Sequence, residues 1–356
     1  MAKNSVTSDN LKITARRWSE GEEWSDERGI AWTELRPVRQ RLESKVTGGQ
    51  DADCIVYTMR RFFPDRTPVP KCLSLCCGRG GWERALAGRN AFLECDAVDV
   101  AEGMIEIARE RAFAQGYRNI SYEVQDVNAI ELTEEEYDMV WSAYALHHIE
   151  QLEHVCAEIQ RALKPSGLFV LLEYVGPSRF QFSERQKEII QACHELLPAR
   201  YRKPVRKALL AEAARNPWRK GWRWTLQRMR DISREGRLVL TIQRRLGTML
   251  DLYLGGPMSC SKKTFPTISS VVAYDPSEAV RSANILPVLS SYFEIVDYRP
   301  LGGSILQFLL DGIAGNFGPN DPEAVSWLEL LFSIEDSLME MEELGSDFAY
   351  IAAKRK

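Results

Sequence analysis

No stretch of about 18 uncharged apolar residues occurs in this 356-residue chain, so nothing in it reads as a membrane-spanning helix. The opening segment, MAKNSVTSDNLKITARRW, lacks the apolar core of a secretory leader. Histidine is scarce, with four in the whole chain. The eight cysteines, at positions 54, 72, 76, 77, 95, 156, 193 and 260, form no Cys-x-x-Cys pair and no Cys/His set with zinc spacing. No metal centre is therefore expected, and reduced thiols in a cytoplasmic chain are the default reading. Neighbours such as Cys76 and Cys77 rarely make an unstrained disulfide and read as small buried thiols. Internal repeats and low-complexity tracts are also missing.

The composition is that of an ordinary globular protein, 45% hydrophobic and 27% charged. Its net charge of −4 hides an asymmetry. Between Ala199 and Arg245 lie fifteen Lys/Arg against three Asp/Glu, a net of +12, so the remainder carries −16. Read as a helix, NPWRKGWRWTLQRMRDI puts Trp218, Trp222, Met229 and Ile232 near one stripe among basic residues. Such a block suits packing or homodimer contact against the acidic stretch near Glu335–Glu343. It also suits an anionic membrane surface or lipid phosphate, which would place the protein at the inner face of the membrane. Nucleic acid is the least favoured partner, since no RNA-binding module accompanies the patch.

Periodicity sets the organisation. Residues 1–68 are polar and Arg-rich, with helical spacing in VRQRLESKV and DADCIVYTMRRFF, and read as an N-terminal helical cap. From Lys71, short apolar runs alternate with helical ones: KCLSL, GWERALAGRN, LECDAVDV, AEGMIEIARERAFAQG, NISYEV, YDMVWSA, QLEHVCAEIQRALKPSG and GLFVLLEY. The helices carry stripes at Met104, Ile107, Ala108 and Ala112, and at Leu152, Val155, Ile159 and Leu163, with Pro-Ser-Gly ending the second. This alternation implies a doubly wound α/β core over 69–175, its sheet mostly parallel and covered on both faces. A helical insertion is expected over 176–290, holding the basic block 199–245. Strand-like YFEIVDYRP and DFAYIAAKR, with helical AVSWLELLFSIEDSLMEMEEL between them, complete a seven-stranded sheet over 291–356.

Ligands of open parallel sheets bind beyond the strands' carboxyl ends, where strand order reverses. The loop Cys76-Cys77-Gly78-Arg79-Gly80-Gly81 leaves the first strand and enters a helix, bringing flexible backbone and free N–H groups to that edge. Asp99, nineteen residues after Gly80, ends the second strand, where a carboxylate can accept from both hydroxyls of a ribose. Asp126 closes the third strand, within reach of an exocyclic adenine amine. His147-His148 follows the fourth, and either imidazole is a candidate base. Tyr144, Glu173 and Tyr174 at strand ends, and Arg281 in DPSEAVRS, are candidate acceptor contacts. In that same segment Asp275 and Ser277 are good helix-capping types.

Leu73–Gly81, Ala97–Arg109, Val124–Val127, Tyr137–Ile149 and Arg161–Leu172 together resemble the successive motifs of class I S-adenosylmethionine-dependent methyltransferases, a Rossmann-like family. The flanks WTELRPVRQRLESKVTGG, DPSEAVRSANILPVLSSYFEIVDYRPLGG, LLDGIAGNF and SDFAYIAAKR resemble uncharacterised bacterial methyltransferases of polysaccharide and glycosyl-transfer contexts. The resemblance implies S-adenosylmethionine as cofactor, S-adenosylhomocysteine as product and a biosynthetic small-molecule acceptor. In it, Gly78 and Gly80 line the homocysteine moiety and ribose, and Asp99 holds the ribose hydroxyls. Val100 and Met104 pack on the adenine, Asp126 and Val127 hold its edge, and Ser142 or Ala143 meets the methionine side. Ser74 and Cys76 belong to the same set but depart from the pattern, which has an acid and a glycine there. A Cβ at Cys76 disfavours positive φ, and Ser74 removes an anchor for the cofactor's ammonium. The resemblance implies methyl transfer to an oxygen, nitrogen or carbon nucleophile, on a sugar, lipid-linked glycan or natural product. Other readings are an RNA methyltransferase using the basic insertion and a non-catalytic cofactor-binding protein.

Overall fold

The computed structural model describes residues 12–16, 18–19, 30–203 and 263–356. Nearly all of the basic block lies outside the described residues, and so do Trp218, Trp222, Met229 and Ile232. The seven predicted strands are all present: β1 Val69–Leu75, β2 Phe92–Asp99, β3 Ile120–Val124, β4 Tyr137–Ala143, β5 Leu163–Tyr174, β6 Phe293–Gly302 and β7 Phe348–Arg355. They form one sheet in the order β3-β2-β1-β4-β5-β7-β6. β1 to β5 run parallel, while β7 lies antiparallel between β5 and β6. The fold is therefore the doubly wound, mostly parallel α/β sheet expected.

Side chains that alternate along each strand divide between two apolar layers. Cys72, Met139, Trp141, Val170, Leu172 and Tyr350 enter one. Leu73, Leu75, Val140, Phe169, Leu171 and Ile351 enter the other. Helices α1 Arg36–Thr47 and α2 Cys54–Phe62 cover the first layer from the N-terminal side, the second capped by Asp53, whose carboxylate accepts from the amides of Ile55 and Val56. α3 Gly81–Gly88, α4 Glu102–Ala114 and α5 Leu152–Ala162 are the crossovers. α6 Glu184–Leu196, α7 Ile268–Tyr274 and α8 Ile285–Tyr292 follow β5 in sequence. α9 Leu306–Leu310 and the long α10 Pro322–Glu340 lie between β6 and β7.

Three details depart from the sequence reading. α5 ends at Ala162 rather than at Pro-Ser-Gly, because Leu163 already pairs with Tyr137 and the strand begins there. Ile105, not Ile107, completes the buried stripe of α4. Glu335 is fully buried, accepts from the amides of Ile305 and Leu306, and pairs with Arg41 at 2.9 Å. It is thus unavailable as an acidic face for the basic block. No helix among the described residues is long and apolar enough to cross a membrane.

Candidate active site

A cavity of about 400 Å³ opens at the carboxyl ends of the strands flanking the β1/β4 reversal. Of the residues picked out from sequence, Cys76, Gly78, Asp99, Val100, Asp126, Val127, Tyr144 and His148 line it. Asp99 is 8% exposed. Its Oδ2 accepts the Gly78 amide at 2.9 Å and its Oδ1 the Ala101 amide at 2.8 Å. One carboxylate therefore locks the glycine loop to the end of β2 while facing the cavity. Burial pushes its carboxyl above the usual range, against the pull of those amides. Asp126 Oδ1 accepts from the Asn128 backbone at 2.9 Å and fixes the short turn after β3.

Backbone strain collects on this wall. Cys76, Tyr144 and Arg179 all line the cavity with φ of 50°, 57° and 55°. Each such non-glycine residue costs on the order of 1–3 kcal/mol and persists only where its surroundings over-determine it. At Cys76 the Cβ does not prevent positive φ, despite the expectation. Every cysteine among the described residues is unbridged, and burial raises the thiols of Cys76 and Cys77.

The remaining candidates sit elsewhere. Gly80 has φ +67°, and a Cβ there would lie 2.5 Å from the Tyr122 hydroxyl. Its role is to let the loop pack on β3, not to meet a ligand. Gly80→Ala is expected to lower Tm by several degrees, from about 1–2 kcal/mol of left-handed strain plus the clash; an unchanged melting curve would contradict this. Ser74 donates to the buried Glu83 at 2.5 Å, and burial raises that carboxyl to about 7. The acid missing from position 74 thus has a neighbour at Glu83, in the core and outside the cavity lining. Met104 and Ser142 are buried away from the cavity, and the Ser142 hydroxyl has no protein partner.

Glu173 is 0% exposed. It accepts from the amides of Ala145, Leu146 and Tyr174 and meets His147 Nδ1 at 2.5 Å. It organises the turn after β4 and has no face for an acceptor. The Tyr174 hydroxyl donates to the Pro177 carbonyl at 3.0 Å. Arg281 makes two 2.6 Å bonds to Glu153, outside the cavity lining. These three are structural, which corrects their assignment as acceptor contacts.

The two histidines part company. Burial disfavours charge on His147, yet Glu173 outweighs it and raises its pKa above the ordinary value. His148 faces the cavity, with its Nδ1 3.0 Å from the Ser277 hydroxyl. Burial, with His147 beside it at 4.2 Å between ring centroids, lowers its pKa. His148 is therefore neutral at neutral pH, with a fixed tautomer available through Ser277, as a general base requires. Asp275, fully buried, accepts from Ser277, from the Trp18 indole at 3.0 Å and from Thr14 at 3.3 Å. It caps no helix start but ties the N-terminal segment to the cavity rim. His147, His148 and Glu278 place one ligand-type atom each within 4.8 Å of one another. Glu173 holds the Nδ1 of His147, and the Nε2 of the same ring lies 3.7 Å from the Glu278 carboxylate.

Sequence reasoning missed Thr14, Trp18, Asn128, Glu150, Gln151 and Arg179, which also line the cavity. Asn128 carried the nearest thing to a signal, two residues after Asp126; its Oδ1 accepts from the amides of Glu150 and Gln151.

Residues 72–167 match a family described as a methyltransferase domain. The match spans about a quarter of the chain. Among curated relatives, a demethylmenaquinone methyltransferase of Bacillus cytotoxicus is 33% identical over 132 residues, 36% of this chain and 53% of that protein. YcgJ of Bacillus subtilis, an uncharacterised methyltransferase, is 28% identical over 100 residues, 28% of this chain and 40% of that one. The chain spans about half the length of the curated relatives it matches. A solved S-adenosylmethionine-dependent methyltransferase of Mesorhizobium loti aligns at 16% identity and TM-score 0.41, covering 84% of this chain and 96% of that one.

Proposed function

We propose that this protein transfers a methyl group from S-adenosylmethionine to a small-molecule acceptor by in-line displacement. The observation that carries the reading is Asp99, held by two backbone amides at the lip of a cavity within the methyltransferase domain. The residues present fit the cofactor: a carboxylate for the ribose hydroxyls, Asp126 and Val127 for the adenine edge, and Gly78 and Cys76 for the methionine side. When bound, the cofactor supplies an electrophilic methyl on sulfur. The chain's own part is to orient the nucleophile, exclude water and accept its proton. His148 takes that proton from a hydroxyl or activated carbon acceptor, while His147 and Glu173 position the turn beneath it. Tyr144, whose phenol burial keeps protonated, offers a donor on the same wall.

The cap over 1–68 and the insertion over 176–290 would shape the acceptor pocket. Thr14, Trp18 and the 276–280 segment on the cavity wall support that division. By its name the Bacillus cytotoxicus relative acts on demethylmenaquinone. The acceptor here belongs to the same broad class of small molecules, which includes sugars and lipid-linked glycans.

Incubating the protein with methyl-labelled cofactor and an extract of host metabolites tests this. One labelled small molecule, formed by the unmodified protein and lost with Asp99→Ala, is the expected outcome. Label recovered only in RNA, or no label transferred to any acceptor, would overturn it.

A further inference from the structure

We infer that the methyl acceptor is an anion, carrying a carboxylate or phosphate that Arg179 clamps beside His148. The inference rests on the methyltransferase reading and deepens it. Arg179 is the cation among the residues lining the cavity, and none of its donors forms an ion pair with a carboxylate among the described residues. Of the cavity's carboxylates, Asp99 and Asp126 stand at the ends of β2 and β3, while Glu150 follows β4 and Arg179 follows β5, both across the β1/β4 reversal. The guanidinium thus lies across the reversal from the two acids assigned to the nucleoside, with Glu150 the cavity-lining carboxylate on its own side.

The guanidinium is also held. Its backbone N–H donates to the Ala279 carbonyl at 2.7 Å, its Nη1 donates to the Glu278 carbonyl at 2.9 Å, and its backbone is fixed in the left-handed region. His148 bonds Ser277 on this same 277–280 segment, so base and cation share one mount. Burial disfavours the Arg179 charge and lowers its pKa; the charges of Asp275, Glu278 and Glu150 oppose this only in part, and none of the three is bonded to the guanidinium through its carboxylate. A site that keeps a fixed, half-buried guanidinium with no bonded carboxylate is built to gain an anion, and the paired oxygens of a carboxylate or phosphate match its fork of donors.

The same chemistry has two sources, an acceptor's anionic group and the cofactor's own methionine carboxylate. Calorimetry on the full chain separates them. Benzoate and phenyl phosphate are titrated into protein saturated with S-adenosylhomocysteine, with benzamide and benzyl alcohol as neutral counterparts. The anions are expected to bind at least tenfold more tightly than the neutral compounds. Arg179→Gln should erase that preference and Arg179→Lys should keep part of it, with affinity for S-adenosylhomocysteine changed less than about twofold in both. Retained product affinity also reports that each variant is folded. Equal binding of anions and neutral compounds overturns the inference while leaving the methyltransferase reading intact. So does loss of S-adenosylhomocysteine affinity in Arg179→Gln with decarboxylated S-adenosylmethionine bound as before, which would assign the guanidinium to the cofactor. Failure of the unmodified protein to bind S-adenosylhomocysteine overturns both.

Discussion

Replacing Asp99 with alanine is expected to weaken S-adenosylhomocysteine binding by a hundredfold or more. A carboxylate hydrogen bond contributes about 1.5–3 kcal/mol, and two ribose hydroxyls would each lose one. The substitution also strands the amides of Gly78 and Ala101, which now converge on the two carboxylate oxygens. The loop bearing Cys76 and Gly78 then loses one of its ties to β2, keeping the Cys77 amide on the Val98 carbonyl, so part of the loss spreads to the methionine side. Asp99→Asn should fall between the two, because its amide keeps one acceptor but sets an N–H against a backbone donor. Calorimetry with each variant checks the order; equal affinity in all three would remove the ribose contact.

The second large effect is on turnover. His148→Ala should lower kcat by about 10²–10⁴-fold, the range for loss of a positioned base, with cofactor affinity kept. The pH profile separates the two imidazoles. A base works deprotonated, so the rate rises as pH climbs through its pKa and then levels off. Burial puts that value for His148 below the ordinary 6.5, whereas Glu173 puts His147 above it. An acid limb whose midpoint lies below about pH 6.5 therefore identifies His148. A midpoint above that value, surviving in His148→Ala, would move the role to His147.

These expectations mark how far the sequence could be read. Asp99 and Asp126 were legible because each ends a short apolar strand at a spacing that the crossovers impose, and strand ends are where the sheet meets its ligand. Glu173 and Tyr174 end a strand too, yet both turn inward. A strand's end gives the place of a residue but not the partners its side chain will find. Glu173 is claimed by three backbone amides and an imidazole, a demand created by the tight turn after β4. Gly80 was legible as a glycine that lets backbone come close to a neighbour, but that neighbour is Tyr122, forty-two residues on, where the loop spacing alone implied a ligand. Arg179 and Trp18 carried no local signal at all, and Ser277 carried only that of a helix cap. They meet at the cavity only through contacts such as Trp18 to Asp275, which span 257 residues. Long-range polar pairing of that kind has no period and leaves no motif.

A crystal of the full chain grown with S-adenosylhomocysteine tests the central claim most directly. The account predicts the adenosine across the ends of β1 and β2, with both ribose hydroxyls on the Asp99 carboxylate and the sulfur toward Tyr144 and His148. Adenosine bound elsewhere, or bound in this cavity with Asp99 turned away from the ribose, would contradict it.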